Sequence, residues 1–159
     1  MMNIAYCHSP VGLLKIEEED ENIVALRIVS SQEKAAENTS PLLEEAKKQL
    51  SEYFSGKRFN FDLPLKQSGT PFQQKAWNYL ATIPYGKTVS YKNEAEATGS
   101  PKSCRAIGSA NGKNNIAIIV PCHRVVNTGG KLGGYAYGLD VKRKLLELEK
   151  QYAEENRAR

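Results

Sequence analysis

At 159 residues the chain is long enough for one compact unit or two small lobes. It is 40% hydrophobic and 25% charged, ordinary for a soluble globular protein, and no run approaches the ~20 apolar residues of a membrane span. The net charge of +4 is uneven: residues 1–67 hold 8 basic against 11 acidic side chains, a net of −3, while residues 68–159 hold 14 against 7, a net of +7. A basic second half suits a polyanionic partner, although ordinary surface charge would give the same count.

Taken in order, the first lobe (residues 1–67) starts with Met1-Met2-Asn3-Ile4-Ala5-Tyr6. It lacks a basic region followed by a long apolar core, so no signal peptide is expected. Ser9-Pro10-Val11-Gly12 marks a turn, and Leu13, Leu14 and Ile16 suggest a strand. After an acidic turn over Glu17–Asn22, Ile23–Val29 predicts a second strand, antiparallel to the first. Gln32–Thr39 reads as a loop. Ser40-Pro41 is a helix start, and Leu42, Leu43, Ala46, Leu50, Tyr53 and Phe54 recur at helical spacing until Gly56 ends the run. Phe59, Phe61, Leu63 and Leu65 alternate, as in a half-buried strand. No catalytic constellation lies in this lobe, so its expected role is scaffold.

The second lobe (residues 68–159) opens with Thr70-Pro71, starting a helix in which Phe72, Ala76, Trp77 and Leu80 share a face; Trp77 reads as core. Ser90 caps a helix from Tyr91 to about Thr98, Gly99-Ser100-Pro101 turns, and Ser103 to about Asn111 predicts another helix. Helix, short turn, helix is the helix-turn-helix pattern, which many non-binding helical hairpins share. The second helix offers Ala106, Gly108, Ser109 and Ala110, small residues that suit close approach to a backbone rather than base-edge readout, with Arg105 as its long side chain. Ile116–Val120 predicts a short buried strand. Asn127–Gly134 is a glycine-rich loop without a phosphate-loop pattern, Val141, Leu145 and Leu148 form an apolar stripe on a final helix, and Gln151–Arg159 reads as a frayed tail.

Pro121-Cys122-His123-Arg124-Val125 carries the chemistry. Pro121 would end the strand, leaving Cys122 beside a titratable His123 and a cation, Arg124. A thiolate is the nucleophile, and a nearby base or cation raises its fraction; the alternative is a buried structural Cys. Three cysteines, an odd number, point to free thiols in a reducing, cytoplasmic setting. Cys7, His8, Cys104, Cys122 and His123 lack zinc-site spacing, so neither metal nor cofactor is expected.

Pro121-Cys122-His123-Arg124-Val125-Val126 resembles the active-site motif of O6-alkylguanine-DNA alkyltransferases. Gly69-Thr70-Pro71-Phe72-Gln73, Trp77, Ile83–Tyr91, Arg105-Ala106-Ile107-Gly108, Asn114, Gly134-Tyr135, Gly138-Leu139 and Glu149 match the family in order and spacing across about residues 68–150. The resemblance implies an α+β protein: a small N-terminal α/β lobe with antiparallel strands and a mainly helical, winged-helix-like C-terminal lobe that binds DNA. It implies a monomer that binds double-stranded DNA containing O6-alkylguanine through the minor groove and has no membrane partner. It also implies a flipped base, and one alkyl transfer to Cys122 per molecule from O6-alkylguanine or O4-alkylthymine.

Residue by residue, it implies that Cys122 is the nucleophile, with His123 and Glu149 assisting. Tyr91 crowds the 3′ phosphate and protonates the leaving guanine, Asn114 holds the Cys-bearing segment, and Arg105 fills the vacated stack. Lys92, Ser100, Ser103 and Thr128 would contact DNA, and Val125, Tyr135 and Ala136 the flipped base. Two positions depart from the pattern: Asn115 stands where many members have Pro, and Ala136 where a hydroxyl residue is frequent. A Cys-His hydrolase and a damage-binding module without catalysis are the competing readings.

Overall fold

The computed structural model describes residues 2–31 and 35–157; Met1, the Gln32–Lys34 part of the predicted loop and the last two residues of the predicted tail lie outside them. The chain divides into two compact units, one comprising the residues up to Gln67 with Asn115–Ile119, the other Ser68–Asn114 with the residues from Val120 onward.

The first unit is a three-stranded antiparallel meander, β1 (Asn3–Ser9), β2 (Gly12–Glu19) and β3 (Asn22–Val29), with helix α1 (Pro41–Phe54) packed on it. The N-terminal segment is thus a strand that the sequence reading left unassigned. Asp20 and Glu21 both take positive φ, 52° and 63°, the conformation that a two-residue turn needs to match the twist of its flanking strands. Ser40 caps α1 by accepting from the Leu43 N–H, a contribution of about 1 kcal/mol, and Gly56 at φ 78° follows its end. Leu14, Ile16, Leu26, Leu43, Leu50 and Tyr53 form the core.

Two expected strands are not strands. Phe59, Phe61 and Leu63 alternate in burial with their neighbours, but backbone pairing is limited to Leu65, which bridges Ile23 and is itself 39% exposed. Ile116–Val120 is buried, but only Ile116 pairs, with Leu26; Ile118 turns at φ 71° and the Ile119 N–H bonds Ala117 O at 2.7 Å. A β-branched apolar run reports burial, and burial does not require a ladder. Asn115–Ile119, expected in the second lobe, groups with the first unit. Its Asn115 N–H, which a Pro would lack, donates to Gln67 Oε1 at 2.7 Å.

The second unit contains α2 (Pro71–Leu80), α3 (Tyr91–Ala97), α4 (Cys104–Gly112), α5 (Leu139–Arg157), a 3-10 turn over Cys122–Arg124, and a parallel pair of short strands, β4 (Val89–Ser90) and β5 (Val125–Val126). Thr70 with Gln73, and Ser90 with Asn93, make reciprocal capping boxes at the starts of α2 and α3. Trp77 is core, as expected, and its indole N–H donates to Ala110 O at 2.9 Å, tying α2 to α4. Ala76, Ala95, Ile107 and Ala110 close the small apolar centre of the three helices.

Helix α5 continues to Arg157 where a frayed tail was expected, and Ala153 packs against Gly86 so closely that a Cβ there would approach its methyl to 2.7 Å. Of the predicted stripe only Leu145 is fully buried; the face turned inward is Lys142, Leu145 and Glu149. Among the described residues, no helix is long and apolar enough to cross a membrane.

Candidate active site

The site belongs to the second unit. Cys122 begins the 3-10 turn after Pro121 and is partly exposed, while His123, Arg124 and Val125 are buried. Asn114, just beyond α4, donates through Nδ2 to Val120 O at 2.8 Å and reaches Cys122 Sγ at 3.5 Å. One side chain thus holds both the backbone before the nucleophile and the sulfur itself. Burial pushes the Cys122 thiol up; the Asn114 bond and the Lys142 ammonium pull it back, and Glu94 opposes them. The balance leaves a thiol that needs a base.

Glu149 gathers the buried charges. Its Oε2 lies 2.7 Å from His123 Nε2, and Arg124 Nε donates to Oε1 at 2.8 Å while Nη2 donates to Oε2 at 3.1 Å. The Gly86 N–H adds a longer contact of 3.5 Å. Burial would raise the carboxyl, but His123 and then Arg124 hold it well below the usual carboxylate range. With Nε2 committed to Glu149, His123 Nδ1 is buried without a protein partner among the described residues, so it is the ring nitrogen free to accept a proton.

Lys142 is fully buried. Its ammonium donates to Val125 O at 2.7 Å, to Gly134 O at 3.0 Å and to Leu132 O, and lies 5.6 Å from the Tyr91 ring centroid. It therefore pins the glycine-rich loop against the nucleophile's strand. Burial lowers its pKa to about 8, with the Cys122 sulfur acting in the opposite direction. The Tyr91 hydroxyl donates to Gly134 O at 3.4 Å, and burial raises its pKa. Gly133, at φ 72°, leaves no room for a Cβ, which would meet Tyr91 Cε2 at 2.8 Å.

A cavity of about 810 Å³ opens over Cys122, walled by Tyr91, Arg105, Asn111, Gly133, Tyr135 and Ala136. It joins a nucleophile to the exposed arginine of α4 and is wide enough for an aromatic base.

The two halves of the chain match two family descriptions: residues 2–67 match "6-O-methylguanine DNA methyltransferase, ribonuclease-like domain", and residues 71–151 match its "DNA binding domain". The chain belongs to the 6-O-methylguanine DNA methyltransferase family.

Among its relatives, the constitutive methylated-DNA–protein-cysteine methyltransferase of Bacillus subtilis (strain 168) is 47% identical over 153 residues, covering 89% of this chain and 92% of that one. The methylated-DNA–protein-cysteine methyltransferase of Methanosarcina acetivorans is 43% identical, covering 93% and 98%. The Mycobacterium tuberculosis OGT crystallised in complex with DNA superimposes with a TM-score of 0.84 at 44% identity, covering 92% of each chain. The α+β architecture expected from the sequence is the one found in this family.

Against this family background, the structure distributes the expected residues unevenly. Cys122, Tyr91, Arg105, Tyr135 and Ala136 border one cavity, and Asn114 touches the sulfur. Val125, expected in the pocket, is fully buried and does not line it; its carbonyl receives Lys142 instead. Lys92 is exposed on α3, Ser100 and Ser103 lie in the turn before α4, and Thr128 is exposed at the loop tip; none borders the cavity. Arg124, expected to favour the thiolate, is taken up by Glu149, Ile83 O at 2.7 Å and the Tyr85 ring; Lys142 is the cation acting on Cys122. Lys142 was missed, although its place three residues before Leu145 and seven before Glu149 puts it on the buried face of α5.

Proposed function

We propose that the protein repairs DNA by direct, stoichiometric transfer of the alkyl group from O6-alkylguanine, and from O4-alkylthymine, to Cys122. The observation that carries this reading is the single cavity bounded by the Cys122 nucleophile, Tyr91 and the exposed Arg105 of α4. Residues 1–67 act as scaffold and residues 68–159 as the DNA-binding, reacting lobe. The α3–turn–α4 pair enters the minor groove of duplex DNA as a helix-turn-helix, and the small side chains of α4 permit its close approach to the sugar-phosphate backbone. The damaged nucleotide flips out because its alkyl carbon is unreachable in the stack, and a mispaired base costs less to extrude. The protein works as a cytoplasmic monomer.

In the cavity, His123 Nδ1 takes the Cys122 proton through a solvent molecule, while Glu149 stabilises the resulting imidazolium. Lys142 favours the thiolate. As the S–C bond forms on the alkyl carbon, the C–O6 bond breaks and its electron pair passes to guanine. The Tyr91 hydroxyl donates the proton that this poor leaving group needs. The thioether resists hydrolysis, so each molecule reacts once.

The test is intact-mass measurement after incubation with duplex bearing O6-methylguanine. The wild-type protein should gain one methyl per chain, and Cys122→Ala none while still binding the duplex. Methyl transfer by Cys122→Ala, or repeated turnover of an ester, would overturn the mechanism.

A further inference from the structure

Glu94 is fully buried, yet no cation pairs with it among the described residues. It lies on α3, next to Ala95 of the small apolar centre, and its Oε1 accepts from Asn111 Nδ2 of α4 at 2.8 Å. The remaining oxygens of the same two planar groups, Glu94 Oε2 and Asn111 Oδ1, are both buried without a hydrogen-bond partner. Two buried acceptors left over from one side-chain pair are costly, and a carboxylate has no hydrogen to offer either. A carboxylic acid has one. A proton on Oε2 would donate to Oδ1 and satisfy both atoms at once. Reversing the Asn111 amide does not remove the need, because it sets Oδ1 against Oε1 instead.

We propose that Glu94 is held as the neutral acid at mildly acidic pH, up to the edge of neutrality, and closes a two-bond acid–amide ring with Asn111, clasping α3 to α4. The clasp joins the helix carrying Tyr91 to the helix carrying Arg105, and Asn111 itself borders the Cys122 cavity. Neighbouring charges give no reason for the ionised form. On α2 the titratable residues are Lys75, which is exposed, and Tyr79; on α4 they are Cys104 and Arg105, both exposed. On α3 itself Lys92 and Glu96 are exposed; Tyr79, Tyr91 and Cys122 lie within electrostatic reach, and each is disfavoured from ionising by a charge on Glu94. Burial raises the Glu94 pKa to about 7, with the Asn111 bond lowering it in part. Keeping Glu94 neutral therefore also removes an obstacle to the Cys122 thiolate.

The sign of the pH effect follows. The folded protein keeps the proton that the unfolded chain releases near 4.5, so this contribution is fully present below that pH and is lost as pH rises through about 7. Glu94→Gln replaces the acid by an amide able to make both bonds at every pH. Relative to wild type, its melting temperature should gain on the order of 5 °C between pH 5 and pH 8. A difference that stays flat, or that moves the other way, overturns the proposal.

The second measurement needs no variant. In the wild-type protein labelled with 13C at glutamate carboxyls, the Glu94 resonance should titrate with a midpoint near 7. A midpoint at or below about 5, the range of an ordinary carboxylate, overturns the neutral clasp whether or not the variant folds.

Discussion

His123 Nε2 and Glu149 Oε2 lie 2.7 Å apart with both side chains withdrawn from solvent, and Arg124 donates to both oxygens of the same carboxylate. This arrangement makes Glu149 both a stabilising centre and the group that orients the base. Its lowered pKa fixes the sign of its pH dependence. The folded state releases a proton that the unfolded chain retains near 4.5, so the stabilisation is present above that pH and is lost as pH falls below it.

Glu149→Gln should destabilise the protein by roughly 3–5 kcal/mol at pH 7, because Arg124 is left buried without its counter-charge. The acid limb of its stability curve should be flatter than that of wild type, and methyl transfer should fall steeply. Chemical denaturation at pH 3 to 7 checks the first two expectations. A variant as stable as wild type at pH 7 would show that the triad stores little energy.

Lys142→Met should lower both stability and thiol reactivity. Removing the ammonium leaves the Val125, Leu132 and Gly134 carbonyls without their donor, at about 1–3 kcal/mol for each that stays buried. It also withdraws the cation that favours the thiolate. The rate of Cys122 alkylation by iodoacetamide at pH 8, read by intact mass, should fall roughly threefold to tenfold. An unchanged rate would assign Lys142 to the loop alone.

Local signals were legible wherever a few adjacent residues settled the matter. Ser40-Pro41, Thr70-Pro71 and Ser90 announced three helix starts because a cap needs only its own first turn. Ile116–Val120 misled because apolar content is shared by strands and buried turns, and the left-handed Ile118 leaves no trace in composition. Glu149 would have read as a solvated carboxylate without the family resemblance, and Lys142 stayed hidden because its three carbonyl partners lie 8 to 17 residues away along the chain. The Glu94–Asn111 pair was invisible for the same reason: 17 residues separate its halves.

Gly133→Ala should leave the fold in place but slow transfer. Its φ of 72° costs a side-chain residue about 1 kcal/mol, and the new methyl would press on Tyr91 Cε2 and the phenolic oxygen. Tyr91 must then rotate away from the cavity wall. Single-turnover methyl transfer should slow by roughly tenfold, the equivalent of about 1.4 kcal/mol in the barrier. A normal rate would mean that the loop yields without moving Tyr91.

Arg105→Ala separates stack filling from simple charge attraction. Arg105 is exposed on α4 at the cavity rim, and its neighbours Cys104, Ala106 and Gly108 are too small to occupy the gap left by a flipped nucleotide. Extruding a base costs a few kcal/mol, which a side chain inserted into the stack offsets in part. A free base such as O6-benzylguanine is already unstacked and needs no such help. Single-turnover transfer at saturating duplex should therefore slow by roughly tenfold, while the rate with the free base stays near that of wild type. Loss of a phosphate contact alone would weaken duplex binding yet leave the saturated rate unchanged. Equal slowing with both substrates would instead place Arg105 in support of the cavity wall, and the flipped-base role would fall.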